Sequence, residues 1–276
     1  MKRTLVGNLE SLWRYPVKSM QGEELGASEI GTKGLLGDRT YALWDVKTER
    51  IASAKNPHKW SSLLNCHAAL ERSPKVGQPT PRVNISLPNG VTATSEQHNI
   101  NTLLSNWIER EVTLLSTVPK TPYLEQYWPD IEGTAYQDTV TQLFMPTGTF
   151  FDSCSIHAIT TATLDRLQEL YADGDFAPRR FRPNLLINTQ SAQADFVEND
   201  WVGHILSIGK SVRLKIDTAC PRCVVTTLAQ KGLTQDLTIL KTAAQYNKVI
   251  AGIRLSVIQG GTIYQNDSVW LEKVEK

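Results

Sequence analysis

Through the first hundred residues the apolar positions recur mostly at every second residue. The run RTYALWDV (39–46) alternates and places Ala42, Trp44 and Val46 on one face of a strand. RVNISLPNGVTATS (82–95) reads as a hairpin, since two β-prone runs flank Pro88-Asn89-Gly90 and Asn-Gly supplies the positive φ of a tight turn. The period then changes. Ile100, Leu103, Leu104, Trp107 and Ile108 fall at i, i+3, i+4, i+7 and i+8, one stripe of a helix, with Ser95 as its expected cap. VTLLS (112–116) returns to strand.

Between Thr117 and Phe150 the periodicity stops. Pro119, Pro122, Pro129, Pro146, Gly133 and Gly148 punctuate the stretch, with Tyr123, Tyr127, Trp128 and Tyr136 between them. Such a segment is expected to be a linker or a binding loop, and a domain boundary is placed at its start, giving 1–117 and 118–276. Beyond it SIHAIT (155–160) is a strand. Thr160 or Thr161 caps a helix carrying Leu164, Leu167, Leu170 and Tyr171, and NLLIN (184–188) is a short buried strand. HILSIGKSVRLKI (204–216) gives two strands joined at Gly209-Lys210. Asp236 caps a helix through Ile239, Leu240 and Ala243. The chain closes as a strand pair around Gly260-Gly261. Strands dominate and helices are few, so the fold class is mixed α/β, β-rich and barrel-like.

Composition narrows the function. The 276 residues are 41% hydrophobic and 21% charged, enough for a real core. The formal net charge of +1 argues against a general grip on nucleic acid. MKRTLVGNLESLWRYPVKS is not followed by a long apolar stretch, so neither a signal peptide nor a membrane span is expected. Four cysteines in such a chain do not form a disulfide scaffold, and the expected setting is the reducing cytoplasm.

Two of the four, Cys220 and Cys223, stand in TACPRCVVTT (218–227). One C-x-x-C supplies half a zinc site; Cys66 and Cys154 are isolated and no H-x3-5-H pairing occurs. A thioredoxin-like dithiol needs a strand-to-helix turn, whereas VVTTL reads as another strand. Two buried cysteines packed as small hydrophobes remain a reading. Arg222 weighs against it, because an adjacent guanidinium favours the thiolate of Cys223. Other residues point to an anion. FAPRRFRPN (176–184) puts Arg179, Arg180 and Arg182 in a loop before a buried strand. Arg179 and Arg180 read as solvated surface charges, while Arg182 is held between Phe181 and Pro183. Lys18, Ser19 and Arg39 sit at strand ends suited to phosphate. No nucleotide-binding glycine loop is present.

The order YPVKSM, GLLGDRTYALWD, FDSCSIHAIT, RFRPNLLIN, NDWVGHILSIG, CPRCVVTT and GTIYQNDSVWL resembles MOSC-domain proteins over nearly the whole chain. It is most similar to the two-part form that includes bacterial relatives of the mitochondrial amidoxime-reducing component. The resemblance implies an N-terminal MOSC β-barrel domain packed on a MOSC β-barrel domain, with molybdenum cofactor (Mo-molybdopterin) in the groove between them. By motif match it makes Cys223 the metal ligand and sets Arg222 beside the metal. Lys18, Ser19, Arg39, Ser153, Cys154, Arg182 and Asn184 take the positions of cofactor contacts, and Cys220 matches no ligand. Ser155 stands where the family often has proline, which unsettles the local backbone contacts. The implied function is a molybdenum oxidoreductase that reduces small N-hydroxylated compounds. A cofactor carrier without turnover and a metal-free dithiol protein are the alternatives. Since the chain shows no C-x4-C-x2-C run, electrons are expected from a separate ferredoxin- or flavin-reductase-type donor.

Overall fold

A computed structural model describes residues 3–131, 136–189 and 194–274. Its largest sheet closes on itself. Arg3–Arg14 pairs with Leu185–Asn188, and the sheet continues through Ile156–Thr160, Ile250–Gln259, Val212–Pro221, Ile205–Ile208 and Ser268–Glu272 back to Arg3–Arg14. The result is a seven-stranded barrel with one parallel pair, Ile156–Thr160 beside Leu185–Asn188, and six antiparallel ones. A parallel pair needs a crossover, and the Thr161–Leu170 helix lies in that connection. Thr160 caps this helix as expected, its hydroxyl accepting from Thr163 N at 3.1 Å.

Alternation decides what fills the barrel. Leu9, Leu12, Ile156, Ala158, Leu185, Ile187, Leu206, Leu214, Ile253 and Leu255 point inward and are buried. Ile159 and Leu186, one residue out of phase, and Ala251, which precedes the left-handed Gly252 (φ +90°), pack outside against Leu164, Leu167, Ile239 and Ala243 of two helices. These strands are therefore buried on both faces, and their short sequences read as continuous apolar runs.

The remaining β structure forms three smaller sheets. Ala42–Asp45, Arg50–Ile51 and Val112–Leu115 join Tyr123–Trp128 and Thr139–Phe144 in one; His67–Leu70, Val83–Ser86 and Thr92–Thr94 make another; Gly261–Tyr264 pairs with Ala27–Gly31 in the third. Sheet membership crosses residue 117 in both directions. The first strand is a stave of the barrel, and the 123–144 hairpin extends a sheet begun near residue 42. A second apolar core, including Met20, Leu43, Trp60, Leu63, Cys66, Ile85 and Leu104, lies under these sheets.

Several local expectations are met: the 83–94 hairpin with Gly90 at φ +86°, the Ile100–Ile108 helix, and the strands at 112–115 and 205–221. Others are corrected. The irregular stretch is a hairpin, Tyr123–Trp128 on Thr139–Phe144; Gly133 lies outside the described residues. Val46 is exposed while Leu43 and Asp45 are buried, because the 42–45 strand is covered on both sides. Ser95 accepts from Val83 N rather than capping the helix, whose N-cap Asn99 makes no side-chain cap bond. Asp236 accepts from Thr238 N at 2.8 Å, one position before the helix cap assigned to Leu237. The strands flanking Gly260-Gly261 do not pair with each other. Ile250–Gln259 stays in the barrel and Gly261–Tyr264 leaves to pair with Ala27–Gly31. Among the described residues no helix is long and apolar enough to cross a membrane.

Candidate functional site

The Val212–Pro221 strand ends at the C-x-x-C pair, and the next element is not a strand. Val224–Thr227 is a single 3-10 turn that begins at Cys223. Thr226 donates through Oγ1 to Cys223 O at 3.0 Å and Thr227 to Val224 O at 2.8 Å, so the two threonines tie the turn to itself. Arg180 clamps the turn. Expected at the surface, this arginine is 1% exposed, and its guanidinium donates to the carbonyls of Asp175, Thr226, Leu228 and Thr234. Four carbonyls make a charge-assisted socket, which is why the charge can be buried.

Lys18, Ser19, Arg39, Ser153, Cys154, Arg182, Asn184, Arg222 and Cys223 all line one cavity of about 130 Å³ beside this turn. Its cations are Lys18, Arg39, Lys55, Arg182, Arg222 and Arg254, against the carboxylate of Asp152. Lys18 is salt-bridged to Asp152, and Lys55 lies 3.4 Å from the same carboxylate. Burial would raise the Asp152 pKa, but Lys18, Lys55 and Arg39 outweigh it and hold the carboxyl well below the usual range. Arg39 pairs with Asp38. The Nε atoms of Arg222 and Arg254 are buried with no acceptor among the described residues. A pocket with this charge excess and unsatisfied guanidinium donors is built for an anion.

Backbone strain positions the cations. Ser19 (φ +66°), Arg39 (φ +47°) and Arg182 (φ +53°) are all left-handed, although none is glycine. Tyr15 sits between the two arginines, with the guanidinium carbons of Arg39 and Arg182 at 4.5 and 4.3 Å from its ring centroid. Its hydroxyl donates to Pro183 O at 3.2 Å, and burial pushes its pKa up to about 12. Burial and the neighbouring Arg39 push Arg182 down to about 10, still charged at neutral pH. Asn184 is engaged on both sides: Oδ1 accepts from His157 N at 3.1 Å and Nδ2 donates to Trp13 O at 3.2 Å. It fastens the 156–160 strand to the first strand while lining the cavity.

The cysteines divide differently from expectation. Arg222 does not point at its sequence neighbour Cys223. Its guanidinium donates to Cys220 Sγ at 3.0 Å, approaches His157 Nε2 at 3.1 Å, and donates to Phe181 O at 2.6 Å. Burial alone would raise the Cys220 pKa, yet Arg222, His157 and Arg254 hold it well below the ordinary thiol range. Cys66 and Cys154, by contrast, are pushed up to about 11 by burial. All four cysteines are free of disulfides. Among the described residues no three His, Cys, Asp or Glu side chains converge as metal ligands, so a four-ligand zinc site has no ligand set there.

Two further cavities adjoin the cationic one. About 630 Å³, bordered by Gly31, Gly34, Gly37 and Gly260, meets it at Arg39, Phe150 and Phe151. On the opposite side about 720 Å³ lies between the 123–144 hairpin and the Thr238–Asn247 helix. That space shares Lys55, Asp152, Ser153, Pro221, Arg222, Cys223 and Arg254 with the cationic cavity, so Cys223 stands at the junction. The helix ends in two left-handed residues, Lys248 (φ +51°) and Val249 (φ +65°), and Val249 O accepts from Arg222 N at 2.8 Å. A β-branched residue in that region is a costly conformation, and here it seats the backbone of Arg222.

Sequence reasoning missed Tyr15, Lys55, Asp152, His157 and Arg254. Asp152 and His157 lay inside the FDSCSIHAIT block and Tyr15 opens YPVKSM, whereas Lys55 and Arg254 carry no spacing or motif that marks them, and only the fold brings them to the cavity.

Comparison with known proteins gives the same frame. Residues 6–72 match the MOSC N-terminal beta barrel domain and residues 146–270 the MOSC domain. The human protein "Mitochondrial amidoxime reducing component 2" is 25% identical over 239 residues, 81% of this chain and 67% of that one. The crystal structure of YuaD from Bacillus subtilis superposes with a TM-score of 0.50 at 10% identity, covering 99% of each chain, a likeness of fold alone.

Proposed function

The chain belongs to the MOSC-domain proteins, and from that premise we propose that it binds molybdenum cofactor and reduces N-hydroxylated compounds with electrons from a separate donor protein. The observation that carries the reading is the cavity itself: six cations facing one carboxylate, two guanidinium Nε atoms without acceptors, and a thiol at its edge. That donor set fits the group. Lys18, Arg39 and Arg182 suit a phosphate, and the soft sulfur of Cys223 suits a soft, redox-active metal.

When bound, the cofactor supplies the two electrons that, with two protons, cleave an N–O bond to an N–H product and water. The protein's share is positional. Thr226, Thr227 and Arg180 fix the turn that carries Cys223. Lys55 and Arg254 border both cavities and keep the junction positive. His157 and Cys220 hold the Arg222 guanidinium, so its direction is set before any ligand arrives.

A second reading has its own observation. Arg222 stabilises the Cys220 thiolate at 3.0 Å, as a dithiol redox protein would require. One experiment separates the two. Protein made in a host that synthesises the cofactor is analysed for molybdenum and pterin as wild type, Cys223→Ala and Cys220→Ser. We expect about one molybdenum per chain in wild type and in Cys220→Ser, with none in Cys223→Ala. Equal metal in wild type and Cys223→Ala sinks the ligand assignment. Loss of benzamidoxime reduction, with reduced methyl viologen as donor, in a metal-replete Cys220→Ser protein favours the dithiol. No turnover in loaded wild type, together with transfer of its cofactor to an apo-enzyme, makes the protein a carrier.

A further inference from the structure

The 720 Å³ cavity has two unlike walls. One is apolar: Tyr127, Trp128 and Phe144 from the hairpin face Leu240 and Ala244, which sit at i and i+4 on one side of the Thr238–Asn247 helix. The polar atoms of the aromatic residues are already used on the hairpin. Trp128 Nε1 donates to Thr141 Oγ1 at 2.8 Å and Tyr127 OH to Asp138 Oδ1 at 3.1 Å. What these side chains offer a ligand is therefore ring surface. Phe144 is a large apolar residue left 53% exposed. The other wall is the shared floor, where Lys55, Arg222 and Arg254 face Asp152 and Cys223. None of the apolar residues lines the cationic cavity, and Lys18, Arg39 and Arg182 do not line this one.

We propose that this cavity is the substrate pocket and that it selects molecules with a flat, apolar body and an uncharged or anionic head. The body lies between Trp128 and Ala244, and the head meets the floor beside Cys223. This deepens the proposed function and rests on its placing the chemistry at Cys223. Ring surface against ring surface favours aryl over small alkyl ligands. The floor, with three cations to one carboxylate, disfavours a cationic head. Ala244 sets the room available, because a larger side chain there projects from the helix towards the hairpin.

Isothermal titration calorimetry on the protein as purified tests this with three probes: benzohydroxamic acid, acetohydroxamic acid and benzamidine, which is cationic at neutral pH. Benzohydroxamic acid is expected to bind at least tenfold more tightly than either of the others. Ala244→Trp should weaken it at least tenfold and leave acetohydroxamic acid within twofold, with molybdenum and pterin content unchanged. Trp128→Ala, which removes bulk rather than adding it, should weaken the aryl probe about three- to tenfold and serves if Ala244→Trp does not fold. Benzamidine binding as tightly as benzohydroxamic acid would overturn the charge selection. Unchanged aryl affinity in the folded variants would overturn the location. A fall in pterin content in either variant would show that this wall holds the cofactor instead. Selective aryl binding by protein that contains no molybdenum would support the pocket and overturn only the cofactor reading.

Discussion

The two sides of the Cys223 junction are made by different means. On the cationic side the key residues sit on loops in costly backbone conformations: Ser19, Arg39 and Arg182 are left-handed, and Tyr15 and Asp38 hold the arginines in place. On the apolar side the facing side chains come from regular elements, a hairpin and a helix, and the left-handed residues Asp138, Lys248 and Val249 fall at the ends of those elements rather than under the facing side chains. A fixed anion demands donors held to within fractions of an ångström, and strained, over-determined loops provide that. An apolar body needs only volume and surface, which side-chain identity on a regular element supplies. The cationic side should therefore fail sharply when one contact is lost, and the apolar side should change gradually.

The largest expected effect lies behind the cationic side. Gly252 has φ +90°, and a Cβ there would collide with the His157 ring and lie 2.5 Å from Ala158 O. Gly252→Ala should cost about 2–4 kcal/mol through overpacking and backbone strain together. Thermal unfolding is expected to fall by roughly 5–10 °C, with His157 and Arg222 displaced. An unchanged melting temperature would mean that the strand relaxes freely and the rigid description is wrong.

Next come the cations themselves. Lys18→Ala or Arg182→Ala removes one charge-assisted contact, about 1.5–3 kcal/mol, so cofactor retention after gel filtration should weaken roughly ten- to a hundredfold while the fold persists. Full pterin content in both variants would locate the anion elsewhere. On the apolar side the matching change is smaller. Thr141→Val removes the acceptor of Trp128 Nε1, a bond worth about 0.5–1.5 kcal/mol, and should perturb the hairpin without lowering cofactor content. If it lowers cofactor content as much as Arg182→Ala does, the two sides are not independent.

The smallest effect is visible only at high pH. Tyr15 has its pKa raised to about 12 from an ordinary value of 10.0, so the neutral phenol is favoured in the fold. The corresponding stability is fully present below about pH 10 and is lost as pH rises from about 10 to 12. Titration of phenolate absorbance should show one late tyrosine, absent in Tyr15→Phe. A Tyr15 that ionises near 10 would contradict its burial between the arginines.

Much of this protein was set by local sequence. Alternation marked the strands at 83–94 and 205–221, short apolar runs marked those at 156–160 and 185–188, and the 3.6 period marked the helices at 100–108 and 161–170, because side-chain period comes directly from backbone geometry. RFRPN and CPRCVVTT carried Arg182, Asn184, Arg222 and Cys223, since those residues lie within contiguous loops. Tertiary structure decided the rest. That Arg3–Arg14 closes the barrel against Leu185–Asn188 and Ser268–Glu272 depends on pairing across more than 170 residues, which no local pattern encodes. The same holds for the partner of Gly261–Tyr264. The broken stretch after Thr117 hid a hairpin because hydropathy does not follow the alternating burial of its strands: Gln126 is buried while Val140 and Phe144 are exposed. Arg180 looked solvated because three of the four carbonyls in its socket, those of Thr226, Leu228 and Thr234, are distant in sequence. And the chain places Arg222 next to Cys223, while the fold turns its guanidinium to Cys220 and His157, because a side chain's direction is fixed by the backbone and the acceptors around it rather than by its neighbour in sequence.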